Sequence, residues 1–371
     1  MGILNQKLKN VNKTINDLSD SQRGMRFLIS TAALVIIIAG INLAQSIVVL
    51  FLVSFFMAIL ATPPLLWLKS KRIPSGFAVL IVMSAMIIVL LLIGAQIGSS
   101  FSNFSDELPL LQSKIREQIV KLSVLLTSNG IAAPKHVLLE YVNSEAIMEF
   151  TTDVLTGFSS VLSNLILILL TVTFILLEVS SFPTKLRTIL GDPEQAFPQF
   201  TLFLIDMKRY MVIKTIINMI AAIILGIWMY ILGVPYPVLW GFLAFLLHYI
   251  PNIGSIIAAI PPVLLAFVEL GMGSALLVVL GNVVIGFIVG NVVEPRLMGR
   301  KLGLSTLVVF LSLIFWGSLL GLIGAILCIP LTMTMKFVFE NIESTRWIAV
   351  LLGPERLSAP LPFELNKDDV Q

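Results

Sequence analysis

The sequence predicts an all-α polytopic membrane protein, with about six full transmembrane helices, two oppositely oriented re-entrant hairpins and a small extracytoplasmic helical segment. Three observations carry this. Of 371 residues, 57% are hydrophobic and only 12% charged, against about 25% charged in a typical soluble domain. Six stretches, 27–68, 73–105, 154–177, 215–268, 270–293 and 302–335, contain no Asp, Glu, Lys or Arg, and a crossing of about 30 Å needs roughly 20 apolar residues. Two of those stretches are interrupted by helix breakers in their middle. The mean hydropathy of +1.00 excludes a soluble enzyme, a nucleic-acid binder and a disordered chain.

The positive charges order the elements, because Lys and Arg collect on the cytoplasmic side. Residues 1–26, with Lys7, Lys9, Lys13, Arg23 and Arg26, form a cytoplasmic N-tail. The apolar run after it lacks a cleavage pattern and reads as a retained helix. Transmembrane helices 1–3 occupy 27–98. Helix 27–43 goes out, and the chain turns at Gly40–Ile41–Asn42 and Gln45–Ser46. Helix 46–66 returns to Lys69, Lys71 and Arg72, and helix 76–98 goes out again. Residues 99–153 are extracytoplasmic. Helix 4, within 154–178, returns to a cytoplasmic connector, 179–211, and helix 212–232 leaves again toward Gly233–Val234–Pro235–Tyr236–Pro237. The region 212–337 is the core, and 338–371 is a cytoplasmic C-tail. With both termini inside, only Lys114, Arg116, Lys121 and Lys135 of the 24 Lys and Arg fall outside.

Keeping Arg296, Arg300 and Lys301 inside requires 238–268 to enter and leave from the outer face. Its halves, 238–250 and 253–268, reach roughly 20 and 24 Å at 1.5 Å per residue, short of a span. Tyr249–Ile250–Pro251–Asn252–Ile253–Gly254 breaks them. Helix 275–293 then crosses inward. Residues 304–337 form the second hairpin, entered from inside and broken at Gly317–Ser318–Leu319–Leu320–Gly321. Eight full crossings would satisfy the same charges at the two ends.

The hairpins resemble each other. Phe242–Leu243–Ala244–Phe245–Leu246 followed by Ile253–Gly254 and Pro261 matches Phe310–Leu311–Ser312–Leu313–Ile314 followed by Ile323–Gly324 and Pro330. Inverted repeats with broken helices serve many secondary transporters. A break in mid-membrane frees backbone groups that persist only in protein or facing a watery cavity. The plainer alternative is chance likeness between apolar helices rich in small residues.

Two polar segments remain. In 105–150, Leu108, Leu111, Ile115, Ile119, Leu122 and Leu126 make one helical stripe, Ser105–Asp106–Glu107 suits its start, and Pro134 divides it from a second helix, 135–149. It either buries its own stripe or forms a subunit contact. After Pro198 the connector puts Phe200, Phe203, Leu204, Met207, Tyr210 and Met211 on one side, as an interfacial helix would.

Polar groups at membrane depth are costly and are candidates for function. His248, Pro251, Asn252, Gly254 and Ser255 surround the first break, and Ser318 and Gly324 the second. They hold a substrate or ion, or they stabilise the breaks. Histidine alone among side chains titrates near neutral pH. Asn218, Asn282 and Asn291 lie in flanking helices, as ligands or as interhelical glue. Glu294–Pro295–Arg296, where Pro295 is expected to end helix 275–293, is either a surface turn or an ion pair at a gate. There is no phosphate loop and no nucleophile motif beside His248 and Ser255. With two His and one Cys, Cys328, no His/Cys metal site or disulfide is expected. No catalytic residue and no cofactor are assigned, and the expected partners are the bilayer and a small polar solute or monovalent cation.

Two segments carry a family resemblance. One runs from Ile231–Leu232–Gly233–Val234–Pro235 through Leu239–Trp240–Gly241 to Ile250–Pro251–Asn252–Ile253–Gly254–Ser255 and Ile260–Pro261–Pro262. The other runs from Val293–Glu294–Pro295–Arg296–Leu297–Met298–Gly299 through Leu302–Gly303–Leu304 to Gly317, Gly321–Leu322–Ile323–Gly324 and Pro330. They resemble the autoinducer-2 exporter family, the PerM-type permeases of bacterial inner membranes. The resemblance implies membrane transport and a homo-oligomer, with a pentamer the expected size. Members are linked to export of the quorum-sensing signal autoinducer-2, and others to sodium or lithium/proton antiport. His248 departs from the pattern, standing where the family more often has asparagine or a similar neutral polar residue.

The leading expectation is a secondary transporter that moves a small polar signal or an ion by alternating access, with 212–337 moving against helices 27–177. The alternatives are a sodium(lithium)/proton antiporter using Glu294 or His248, and a non-transporting membrane scaffold acting through 105–150.

Overall fold

A computed structural model describes residues 25, 28, 29, 31–33, 35–128, 156, 163–190, 198–251, 253–298 and 303–353. These residues are almost wholly helical, with no strand among them. Five helices, Gln45–Ser70, Ser75–Phe104, Phe200–Ile231, Met272–Leu297 and Thr306–Ile326, are long and apolar enough to cross a membrane. The protein is an all-α polytopic membrane protein. Asn252, the second external helix at 135–149, the N-tail and most of the C-tail lie outside the described residues.

The chain divides into two compact units, residues 1–49 and 50–371. In the first, a short apolar helix, α1, covers Thr31–Leu43. Gly40, Ile41 and Asn42 are helical rather than a turn. The one turn residue, Ala44, gives its N–H to Gly40 and accepts from Val48. A glycine in a helix costs about 1 kcal/mol, less than freeing backbone groups in an apolar setting.

The second unit holds most of α2 (Gln45–Ser70), then α3 (Ser75–Ser128) and α4 (Leu165–Leu190). Ala58, Ala61 and Leu65 of α2, Ala78, Val79 and Val82 of α3, and Ile168, Val172 and Leu176 of α4 form one buried cluster. The small residues let the helices approach closely. Helix α3 is continuous through Ser105–Asp106–Glu107, where a new start was expected. At 54 residues it is about 80 Å long, so the segment after Phe104 begins as an extension of a membrane-length helix. The capping residues are overridden because an unbroken ladder already satisfies their N–H groups.

Helix α5 (Pro198–Ile231) is likewise one rod of 34 residues, joining the predicted interfacial segment to the crossing. Its face at Met207, Tyr210 and Met211 does not lie on headgroups. It is buried with Phe56, Leu327, Cys328 and Ile329, and Phe203 stacks on Phe337 with ring centroids 4.5 Å apart. Helices α6 (Pro237–Leu247) and α7 (Gly254–Leu270) follow. Helices α5 and α6 cross where Gly226 meets Gly241, with only backbone between them. Trp240 Nε1 donates to the Pro235 carbonyl at 2.8 Å, tying down the turn between them.

Helix α8 (Met272–Ile288) runs through a π-helical segment, Val289–Val293, into the short α9 (Glu294–Met298). Pro295 therefore does not end the helix. It sits in the first turn of α9, where a missing N–H costs little, and the wider π turn has already altered the bonding before it. Helices α10 (Thr306–Ile326), α11 (Cys328–Glu340) and α12 (Arg346–Leu352) complete the described chain.

The chain doubles back at two places. A Cβ added to Gly254 would fall on the Leu247 carbonyl, and one added to Gly324 on the Trp316 carbonyl. In each reversal a glycine backbone lies flat against the last turn of the incoming helix. In the second, Gly317 to Leu320 stay helical and the turn is made at Gly321, with φ 65° and ψ −150°, a conformation open only to glycine. Trp316 Nε1 donates to Thr332 Oγ1 at 3.0 Å, joining the returning arms. Thr306–Ile326 has the length of a span, but its straight part ends before Gly321 and reaches only roughly 22 Å.

Candidate functional site

Polar side chains converge at the first reversal. Helix α5 presents Lys214, Thr215 and Asn218, spaced so that one face of the rod carries all three. Lys214 and Asn218 are buried, with Asn218 fully shielded. Opposite them, His248 and Tyr249 follow the end of α6 and are also buried.

Each contact follows from what the backbone leaves open. The Ala244 carbonyl at the end of α6 accepts from the His248 backbone N–H at 2.9 Å and keeps a second lone pair. His248 Nδ1 lies 2.6 Å from the Ala244 carbonyl. A carbonyl only accepts, so Nδ1 carries the proton and Nε2 is left as an acceptor in the neutral ring. The Asn218 amide donates to the next carbonyl, Phe245, at 3.4 Å. Thr215 Oγ1 and the Tyr249 hydroxyl are 2.6 Å apart. Asn218 Oδ1 and His248 Nε2 are buried with no hydrogen-bond partner among the described residues.

Glu294 reaches the same cluster. Its carboxylate accepts from the Lys214 ammonium, whose side chain is 8% exposed, against 26% for Glu294. His248 stands within electrostatic reach of both charges, and Tyr210 within reach of Glu294 and Cys328. The π segment turns the end of α8 so that Glu294 points at α5.

Among the expected site residues, His248, Asn218 and Glu294 thus come together. Gly254 shapes the adjoining reversal, and Pro251 lies in its turn, where its carbonyl accepts from Ile253 at 2.6 Å. Ser255 leans on α8, 3.5 Å from the position of a Cβ at Gly286. Asn282 and Asn291 are not in the cluster contacts. Each donates to its own helix, at Val278 (3.0 Å) and Phe287 (3.2 Å), and Asn291 faces outward. Ser318 is exposed and donates to the Phe315 carbonyl at 2.9 Å. Pro295 and Arg296 are exposed, and Gly324 belongs to the second reversal.

Lys214, Thr215 and Tyr249 were missed as site residues. Lys214, one of the Lys and Arg residues that the charge pattern places on the cytoplasmic side, directly precedes the longest charge-free stretch and lies one helical turn before Asn218. That spacing was the available signal.

Beside the cluster lies a cavity of about 680 Å³. Val53 and Leu60 of α2, Ile81 and Leu90 of α3, Phe245 and Tyr249 at the first reversal, and Leu322 and Ile323 at the second line it. Both reversals border this one space. Its walls are apolar, and Tyr249 is shared between it and the polar cluster.

Residues 31–344 match the AI-2E family transporter model. The chain is 39% identical over 330 residues to the AI-2 transport protein TqsA of Escherichia coli K12, covering 89% of this chain and 96% of that protein. It is 34% identical over 339 residues to the putative transport protein YhhT of the same organism, covering 91% and 97%. A putative transport protein of Haemophilus influenzae is 36% identical over 334 residues, covering 88% and 96%. With the match spanning both reversals and every helix of the cluster, this chain belongs to the AI-2E family of transporters.

Proposed function

We propose that this transporter, which is not an enzyme, is a secondary carrier of the bacterial inner membrane that moves a small polar solute by alternating access, with both termini cytoplasmic. Its solute is handled at the first reversal, and autoinducer-2 is the first solute to test, because the relative TqsA is named for it. The observation that carries the reading is the pair of like-built reversals around one cavity, with buried polar groups on one of them. Broken helices are favourable at membrane depth only where protein or solute satisfies the freed groups. The apolar cavity supplies slack between the reversals and helices α2–α4 without offering a polar solute a place to rest. The polar cluster beside it supplies the hydrogen-bonding side chains of the first reversal.

The test is flux in liposomes holding the purified protein, run with autoinducer-2 and with monovalent cations. Cysteines placed at Asn252 and Ser318, in a Cys328→Ser background, report sidedness during turnover. The reading expects saturable flux and labelling that switches faces. Labelling of either position from both faces at once would make the protein a channel and end the carrier reading.

A second reading, monovalent cation/proton antiport, is favoured by one observation: Glu294 and His248, the two candidate exchangers, share the cluster. Lys214 opposes it, since its ammonium already occupies the Glu294 carboxylate. Sodium-dependent proton movement that disappears in Glu294→Gln would select this reading.

A further inference from the structure

The cavity of about 680 Å³ offers water almost nothing to hold. Its lining side chains carry two polar groups, the Trp67 indole N–H and the Tyr249 hydroxyl, and the hydroxyl is already paired with Thr215. An ordered water needs two to four polar partners. An empty space would forfeit dispersion contacts along every wall. Hydrocarbon is the occupant that such walls favour.

The shape narrows the choice. On α2 the lining runs from Val53 to Leu68, about 22 Å of helix. One leaflet supplies roughly 15 Å of a hydrocarbon core about 30 Å thick. A compact apolar molecule would use a fraction of that length, whereas an acyl chain uses it from end to end. Exposed residues, Trp67, Ile81 and Val89, stand in the wall, so the space has an open side through which a chain can enter from the bilayer.

One end of the cavity is basic. Trp67 and Leu68 lead directly into Lys69–Ser70–Lys71–Arg72, at the turn between α2 and α3. A turn between two membrane-length helices lies at headgroup level, where an exposed tryptophan is favoured. Lys71 Nζ sits 5.9 Å from the Trp67 ring centroid. Lys71 and Arg72 are exposed, and neither forms an ion pair among the described residues. No Asp or Glu occurs between residues 27 and 105. Two positive charges at the end of a hydrocarbon slot match the two parts of an anionic lipid. We infer that the cavity binds one acyl chain of an anionic phospholipid from the bilayer, with the lipid phosphate on Lys71 and Arg72. The chain fills the space between α2–α3 and both reversals, which reach its wall through Leu246, Leu322 and Ile323. A fluid tail yields to helix movement where close-packed side chains resist it. This goes beyond the transport reading and holds whatever solute is carried.

The experiment uses the full chain in phosphatidylcholine nanodiscs containing phosphatidylglycerol with a mid-chain diazirine, and adducts are located by peptide mass spectrometry. Labelling of Met57, Met86 and Ile323, all in the lining, should saturate as the probe fraction rises, and unlabelled phosphatidylglycerol should displace it. The double variant Lys71→Gln/Arg72→Gln should need about tenfold more probe for half-saturation. Ala85 and Ile88 are both exposed on α3, and Ala85 lines the cavity while Ile88 does not. Ala85→Trp should therefore lose the three adducts and Ile88→Trp should keep them. Surface charges are replaced with little effect on stability, so the double variant decides even where Ala85→Trp fails to fold. Labelling that never saturates and spreads over every exposed apolar helix face is bulk lipid, and overturns the inference. Saturable labelling unchanged in the double variant means an apolar occupant without headgroup recognition, and overturns it too. Absence of adducts at all three residues, the result expected if a second copy of the chain fills the cavity, overturns it as well.

Discussion

The Lys214 ammonium of α5 donates to the Glu294 carboxylate at the start of α9, 80 residues away in sequence. This pair fastens the helix that carries Asn218 to the π segment that ends α8. Lys214 is nearly fully shielded while Glu294 is a quarter exposed, so one end of the pair is fixed in the core and the other opens outward.

Breaking that pair from one side should be expensive. Glu294→Gln leaves a buried ammonium, and a one-sided loss of a buried pair costs about 3–5 kcal/mol. The partial exposure of Glu294 places the expected loss near the lower end. Lys214→Met should cost less than Glu294→Gln, because the carboxylate it leaves has access to solvent. The double variant Lys214→Met/Glu294→Gln should recover part of the loss. Denaturation midpoints in detergent for the four proteins check this, and additive losses would show the two groups to be uncoupled.

The reversals make a prediction that compares like with like. Gly254→Ala and Gly324→Ala each drive a methyl group into a backbone carbonyl, and overpacking of this kind costs about 1–3 kcal/mol or more. Gly317→Ala meets only the Ala325 methyl at 3.7 Å, ordinary contact, and should be tolerated. Size-exclusion profiles and Tm values of the three variants decide it. Equal tolerance of all three would mean that the reversals are not closed as described.

Tyr249 separates the apolar cavity from the polar cluster through its bond to Thr215. Tyr249→Phe and Thr215→Val should each cost about 1 kcal/mol, and combining them should add little to either alone. In flux assays both should change the apparent affinity for solute in the same direction. Opposite shifts would show the two hydroxyls acting independently.

Asn282→Leu and Asn291→Leu should leave flux within about twofold of the parent, since each amide serves its own helix and meets none of the cluster side chains. A large loss of flux in either would return that asparagine to the site.

Lys114 of α3 and Glu269 of α7 meet at 2.8 Å with both side chains about one-third exposed. Lys114→Met should change stability by less than about 1 kcal/mol. The pair has topological value instead. Cysteines at 114 and 269 should both be labelled from the outer face by an impermeant reagent and should form a cross-link. Labelling from opposite faces would rule out the outward placement of both ends of the first hairpin.

The breaks at Pro251 and Gly321, the likeness of Ile253–Gly254 to Ile323–Gly324, and the polar residues near them were all legible in the order of residues. The extent of the elements was not. Ser105–Asp106–Glu107 looks like a helix start, and Pro295 like a stop, yet α3 and the α8–α9 rod continue through both. Local capping chemistry competes with a ladder already formed, and in an apolar surrounding the ladder wins. Likewise Met207, Tyr210 and Met211 form a stripe that suits a membrane surface and a protein core equally. Only the presence of Phe56, Cys328 and Ile329 against them selects the core.

The sequence by itself determined that the chain lives in a membrane, that it is built of apolar helices, where two of them break and which family it joins. Hydrophobicity, charge and backbone chemistry act locally along the chain, so a string of residues records them. Only the tertiary structure decided that Lys214 meets Glu294, that Thr215 meets Tyr249, and that Asn218 and His248 each bury one polar atom with no partner among the described residues. Those relations depend on which faces of distant helices meet, and packing sets that rather than any local preference of the chain.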